Sequence, residues 1–390
     1  MRMTSFPRRI TQSAGPAAGG GDTIWRRLRS MNWLLVSLII VAACIGFTVL
    51  YSAADGSWQP WAMRQVIRFC LGFALMLTIA LVDLRIWWRL AYPIYGIALA
   101  LLVLVEVIGV GEGSHRWIAL GFLNLQPSEV MKVALVLSLA RYFNDLDENQ
   151  IDRLVVMIPP LLLTALPAAL VLRQPDLGTA TILVALAVAV AFLAGLAWWK
   201  FALGAAAVAA AAPITWSMLH DYQRDRVLTF IDPGRDPLGS GYHILQSKIA
   251  LGSGGLFGKG FIGGTQSQLN FLPEKHTDFI FAMMAEEFGF AGSIFMLSVL
   301  VGIMVFCFLM AMRSTSVFSR LIILGLSLNF FFYAFINMAM VMGLMPVVGV
   351  PLPMISYGGT AMLTLMIGFG LIQSASIHRG GVASQRVKFG

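Results

Sequence analysis

Charge is what this sequence has least of. Asp, Glu, Lys and Arg make up 12% of its 390 residues, about half the share found in a soluble domain, while 58% are hydrophobic. A water-soluble fold of this size could not hide that balance from solvent, so soluble catalytic classes are excluded as the main body. Cysteine is scarcer still. Cys44, Cys70 and Cys307 each sit in an apolar run with no partner at metal-ligand spacing, which leaves neither a disulfide framework nor a zinc site. What the chain has in quantity is uncharged length. Trp33 to Tyr51, Leu154 to Leu172 and Thr179 to Trp199 carry no charge over the ~20 residues that span a bilayer.

The pattern predicts an all-α integral membrane protein with about ten transmembrane helices, over 33–51, 65–82, 88–110, 129–142, 154–172, 179–199, 201–219, 288–312, 321–343 and 359–377. Residues 321–377 hold no charge at all, and only the Pro/Gly-dense stretch from Pro346 to Gly359 divides them. Two helices cannot continue through that density, so it reads as a re-entrant or interfacial loop. Basic residues in alternate loops, such as Arg85, Arg89, Arg141, Arg313 and Arg320, fall on the side of the N-terminus, and the positive-inside rule then puts both termini in the cytoplasm. The net charge of +8 reflects this topology and not nucleic-acid binding. Residues 1–32, rich in Gly, Ala, Ser and Arg, read as a disordered cytoplasmic tail before an uncleaved anchor. The membrane domain covers 33–377, and 378–390 form a second cytoplasmic tail. The long loop 219–278, between the seventh and eighth spans, faces outward; loops of that length are usually functional.

Several motifs invite chemistry. The glycine-rich run Gly252 to Gly264 contains a dinucleotide-fingerprint string, but no strand precedes it and no βαβ unit surrounds it. Flexible turns between short interfacial helices describe it better. Asp145 and Asp147 resemble a metal-binding carboxylate pair, yet with Glu148 and Asp152 beside them they read as a solvated acidic loop. Gln126-Pro-Ser-Glu129 opens the fourth span and sets Glu129 and Lys132 on one helix face. Two readings stay open there: a functional ion pair in the membrane, or a cap at Ser128 with Lys132 snorkelling. Phe271 to Phe281 brings Glu274, Lys275, His276 and Asp278 to the start of an apolar segment. Thr277 is expected to cap that helix and leave Asp278 in its first turn. There it is either a dipole-complementing acid or, being partly desolvated, an effective general base; His276 is the alternative base. Arg116, Arg224, Arg226, Lys248, Lys259 and Lys275 fall on the outer face and suit a pyrophosphate, and Trp117 suits either a sugar or the aromatic belt.

Gly113-Ser-His-Arg-Trp117, Gln126-Pro-Ser-Glu129, Gln174-Pro-Asp-Leu-Gly178, Gly241-Tyr-His-Ile-Leu-Gln-Ser247, Phe271-Leu-Pro-Glu-Lys-His-Thr-Asp-Phe279 and Pro351-Leu-Pro-Met-Ile-Ser-Tyr-Gly-Gly359 together resemble the SEDS (shape, elongation, division and sporulation) family, and its elongation branch more than its division branch. The resemblance covers nearly everything from Asn32 to Gln373. It implies a peptidoglycan glycosyltransferase that polymerises lipid II on the outer face of the cytoplasmic membrane, serving cell elongation and rod shape, with a class B penicillin-binding protein as partner. It also implies Asp278 as catalytic base, supported by Glu129, Lys132, His276 and Lys275. Arg116, Trp117, Gln174, Asp176, Arg224, Arg226 and Ser356 would then bind substrate. The chemistry admits a divalent cation, magnesium or manganese, without requiring one. A precursor flippase and a non-catalytic scaffold are the rival functions; a flippase predicts charges spread through a midplane cavity.

Overall fold

The computed structural model describes residues 20–110, 116–119, 124–147, 153–218, 224–225, 228–230, 232, 234, 239–269, 271–272 and 274–378. In chain order its elements are α1 (Gly20–Arg29), α2 (Trp33–Ala53), α3 (Ala62–Leu81), α4 (Leu84–Ile108), β1 (Ile118–Ala119), β2 (Asn124–Leu125), α5 (Pro127–Asp145), α6 (Ile158–Arg173), α7 (Leu177–Leu193) and α8 (Trp198–Met218). Then follow α9 (Ser240–Ser253), α10 (Thr265–Gln268), α11 (Ile280–Met312), α12 (Val317–Val341) and α13 (Gly359–Ile377). Among the described residues seven helices are long and apolar enough to cross a membrane: α2, α3, α4, α6 with its leading 3-10 turn, α11, α12 and α13. α7 and the apolar part of α8, Trp198–Ala211, are shorter.

α5 is the axis of the molecule. It packs against α4, α6, α7, α12 and α13 and is buried from Pro127 through Ala140 at nearly every position, as expected of a helix that is apolar on all sides. Its two ionisable residues near the start, Glu129 and Lys132, are therefore carried into the protein and not toward lipid. The alanine-rich stretch from Gly204 to Ala211 on α8, which could pack either inside the bundle or against a partner, is exposed.

Two sequence expectations need correction. Gly20–Arg29, placed in the disordered tail, is helical. The reason lies in its pattern: Ile24, Trp25 and Leu28 repeat at helical spacing, and Arg27 donates to the Leu81 carbonyl at the end of α3 at 2.8 Å. Residues 1–19 lie outside the described residues.

The glycine-rich segment is not a set of flexible turns. It splints a break in α11, where Gly289 takes φ 64° and ψ −161°. Lys259 N and Gly260 N donate to the Glu286 and Glu287 carbonyls, and Phe290 N and Ala291 N donate to the Gly255 and Leu256 carbonyls. Lys259 Nζ meets the fully buried Glu286 carboxylate at 2.7 Å, so this cation is spoken for. The approach of the two backbones is what demands glycine. A Cβ on Gly258, at φ +79°, would lie 2.0 Å from the Glu287 carbonyl oxygen, whereas one on Gly252 would meet nothing within 4 Å. Gly258→Ala is expected to destabilise by about 2–5 kcal/mol from backbone strain and overpacking. Gly252→Ala, inside α9, should be neutral or raise stability slightly. Thermal unfolding of the two purified variants side by side checks this; equal midpoints would contradict the splint.

Candidate active site

The turn that precedes α11 carries Asp278 into a cavity of about 180 Å³. Arg116 and Trp117 wall it near β1, Glu129 and Lys132 enter from α5, and Asp176 and Thr179 from the start of α7. Tyr333 of α12 and two pieces of the 346–359 loop, Gly349–Pro351 and Tyr357–Gly359, close it. That loop is buried along Val350, Leu352 and Met354–Ser356, in keeping with the rule that irregular backbone at membrane depth is tolerated where protein covers it or where it lines a cavity.

Thr277 does not cap α11. Its hydroxyl donates to the Glu274 carboxylate at 2.9 Å, and its carbonyl accepts Ser356 Oγ at 2.6 Å. The helix starts at Ile280 with Phe279 as its N-cap, so Asp278 stands ahead of the helix and not in its first turn. Asn337 then fixes the backbone: its Nδ2 donates to the Asp278 carbonyl at 2.8 Å and to the Val350 carbonyl at 2.7 Å. Gly349, at φ +71°, brings the loop so near that a Cβ there would lie 3.3 Å from Asp278 Oδ2. Replacing Asn337 by Leu removes both hydrogen bonds, the one to Val350 buried and the one to Asp278 partly so. We expect a loss of about 1–3 kcal/mol and a lower kcat, read by unfolding and turnover measured on the same preparation; unchanged turnover would show that the staple does not position Asp278.

Glu129 and Lys132 form an ion pair at 2.7 Å with Lys132 1% exposed. Lys132 Nζ also donates to the Tyr333 hydroxyl, which in turn donates to the second Glu129 oxygen. Thr364 Oγ1 reaches that same oxygen at 3.3 Å. The capping reading of this motif therefore fails. Gln126 holds the N-cap and Pro127 the first position of α5, while Lys132 is bonded inward and does not snorkel.

The remaining predicted site residues divide. Arg116 faces the cavity but is also anchored, its guanidinium donating to the Gln174 and Pro175 carbonyls at 2.8 and 2.6 Å. Asp176 caps α7 through Thr179 N and Thr179 Oγ1. Gln174, which donates to the Leu102 carbonyl, Ser356, Lys275, His276 and Arg224 do not line this cavity. Arg224 donates to the Ser217 carbonyl. Arg226 lies outside the described residues. His276 stacks on Trp61 with ring centroids 4.4 Å apart. Its burial pushes the imidazole pKa down, Glu274 at 4.0 Å acting in the opposite sense, so it is a neutral packing group at pH 7.

The donor set does not suit a resident divalent cation. Among the described residues no group of three or more His, Cys, Asp or Glu side chains is gathered. Of the cavity carboxylates, Glu129 is engaged by Lys132 and Tyr333, and Asp176 by the start of α7.

Tyr333 and Asn337 escaped the sequence reading because they lie in the uncharged stretch. A signal was present: Asn329, Tyr333 and Asn337 recur every fourth residue in the charge-free part of α12, and all three are buried.

The fold and site thus define a polytopic helical membrane protein with a carboxylate cavity walled by charged and aromatic groups. The family model for FtsW, RodA and SpoVE, described as "Cell cycle protein", matches residues 27–380, and the chain belongs to this family. It is 41% identical over 360 residues to the peptidoglycan glycosyltransferase MrdB of Escherichia coli K12, covering 92% of this chain and 96% of that one. MrdB of Helicobacter pylori is 36% identical over 370 residues, covering 91% and 92%. Among solved structures, a chain of a peptidoglycan synthase complex studied for polymerization and crosslinking superposes with TM-score 0.80 at 33% identity, covering 90% of this chain and 99% of that one. The rod shape determining protein RodA of Thermus thermophilus superposes with TM-score 0.68 at 29% identity, covering 90% and 98%.

Proposed function

We propose that this chain polymerises lipid II, a disaccharide-pentapeptide on undecaprenyl pyrophosphate, with Asp278 as the general base. The chain is a peptidoglycan glycosyltransferase, the activity that its MrdB relatives carry in their names. We assign it to cell elongation and the maintenance of rod shape. The observation that carries the site assignment is the meeting of Asp278, the Glu129–Lys132–Tyr333 network and Arg116 with Trp117 around one cavity.

In the reaction, the acceptor sugar hydroxyl attacks the donor anomeric carbon. A new carbon–oxygen bond forms as the bond to the pyrophosphate breaks, and Asp278 takes the hydroxyl proton. A single displacement inverts the α-linked donor to a β-1,4 link. The departing pyrophosphate gathers negative charge, which Lys132 and Arg116 offset from the cavity wall. Lys275, His276, Ser356 and Gln174 act, in this reading, by holding the Asp278 turn and its surroundings.

The topology consistent with this chemistry has ten spans: the seven long helices together with α5, α7 and α8. Both termini are then cytoplasmic, and the long 219–278 segment and the Asp278 cavity open outward. Residues 33–377 make up the membrane domain. A class B penicillin-binding protein, which would crosslink the new strand, is the partner. The flippase reading is weaker, because the cavity charges gather about one acid at the loop end. Incubating the purified protein with fluorescent lipid II and resolving the products by electrophoresis tests the proposal. A ladder of glycan is expected, and unreacted monomer with or without the partner would sink it.

A further inference from the structure

We propose that α1 is an interfacial helix whose partner is an anionic lipid surface, with Ile24 and Trp25 entering the boundary of the acyl chains and Arg26 and Arg29 meeting the phosphates. At 3.6 residues per turn, Ile24, Leu28 and Trp25 fall within an arc of about 100°, and Arg26 and Arg29 lie outside it. Ile24 and Trp25 are 51% and 69% exposed, and both arginines are exposed as well. An apolar stripe that includes a tryptophan, beside an arginine-rich face, is the composition of helices that lie in the plane of a membrane interface.

The ends of three spans fix where α1 sits. Arg27 Nη1 donates at 2.8 Å to the carbonyl of Leu81, the last residue of α3, and α1 packs against α3. Ser374, in the last turn of α13, donates to the Val82 carbonyl at 2.7 Å. Gln373 holds Asn32, the N-cap of α2, at both its backbone N and its carbonyl, each at 3.1 Å. The end of α3, the end of α13 and the start of α2 therefore share one level, which for helices that cross a bilayer is the boundary between lipid and water. Ser30 N and Met31 N close α1 onto the carbonyls of Arg26, Arg27 and Leu28, and α2 starts afresh at Trp33. α1 is thus a separate helix at that boundary and not an extension of the span.

The exposed apolar surface continues from α1 onto α2. Trp33 Nε1 donates to the Leu28 carbonyl at 3.1 Å, and Trp33 and Leu34 are both exposed, as suits an aromatic residue at the membrane interface. Length gives a second argument. α1 has ten residues, and an isolated helix shorter than about 12 residues is marginal in water, so a surface that takes up its apolar face stabilises it. A neutral bilayer would satisfy Ile24 and Trp25 alone. The arginines select acidic headgroups, whose negative surface potential attracts basic segments next to a span. On the topology proposed above this is the cytoplasmic leaflet; the lipid contact itself does not depend on that assignment.

The test is hydrogen–deuterium exchange, read by mass spectrometry, on the full-length protein in nanodiscs of phosphatidylcholine alone and of phosphatidylcholine mixed with phosphatidylglycerol. Wild type, Trp25→Ala and the double variant Arg26→Gln with Arg29→Gln are compared. Ala and Gln are good helix formers, so lost propensity cannot explain a loss of protection, and the amides of α12 report whether the bundle is intact. Wild-type α1 is expected to exchange slowly, and more slowly when phosphatidylglycerol is present. Each arginine near a charged surface supports about a fivefold change, so the double variant should lose about 25-fold of its protection in the phosphatidylglycerol discs and little in the neutral ones. Trp25→Ala should lose protection in both. Rapid exchange of wild-type α1 in both discs would overturn the proposal. So would slow exchange that neither the lipid nor the variants change, since the bundle alone would then hold the helix. Neither result bears on the polymerisation of lipid II, which these discs do not contain.

Discussion

Lys132→Met is expected to be the most damaging single substitution for folding. It removes the cation that sits 2.7 Å from Glu129 and leaves a carboxylate that is 5% exposed beside a tyrosine hydroxyl that cannot neutralise it. Breaking a buried pair by deleting one partner costs about 3–5 kcal/mol, enough to cut the yield of folded protein severely. The companion variant separates structure from chemistry. Glu129→Gln with Lys132→Met removes both charges and keeps the volume, so most of the stability should return. Activity should not, because the leaving pyrophosphate then loses a facing cation. Unfolding midpoints and turnover of the single and double variants form a double-mutant cycle that reads the coupling directly. Recovery of activity along with stability would mean that the pair is only a strut.

Asp278→Asn should do the reverse and spare the fold while removing turnover. The Asn337 bond is made to the backbone carbonyl of residue 278, and an amide keeps the size of the carboxylate, so the turn should survive. Loss of a positioned general base lowers rate by about 10²–10⁴-fold. Retention of lipid II should change little, since the cations and Trp117 are untouched. A scaffold would tolerate the change in every assay, and a flippase would keep translocation.

The helical membrane class and the place of Asp278 ahead of an apolar helix could be read from the sequence because both rest on local chemistry: charge-poor runs of bilayer length, seven of which among the described residues are helices long enough to span, and a carboxylate at the mouth of one. The glycine-rich segment misled for the opposite reason. Gly254 and Gly258 are required by contact with Ala285 and Glu287, residues close to thirty positions away, and nothing in the local string says so. The same holds for Tyr333 and Asn337, which meet Glu129 and Asp278 only once α12 is packed on α5 and α11. Thr277 has the residue type of a cap, but the helix begins three residues later, at Ile280, and Glu274 takes its hydroxyl. Ser356 and Gln174 lie in motifs that resemble site residues, and the structure gives them backbone partners around the cavity instead of places in its wall.

The most direct measurement compares purified wild type and Asp278→Asn, in proteoliposomes with the transpeptidase partner, for conversion of fluorescent lipid II into polymer that a muramidase can digest. The account predicts digestible polymer from wild type and none from the folded mutant. Wild type that leaves lipid II unpolymerised while carrying it across the bilayer, or a mutant that polymerises at the wild-type rate, would contradict it.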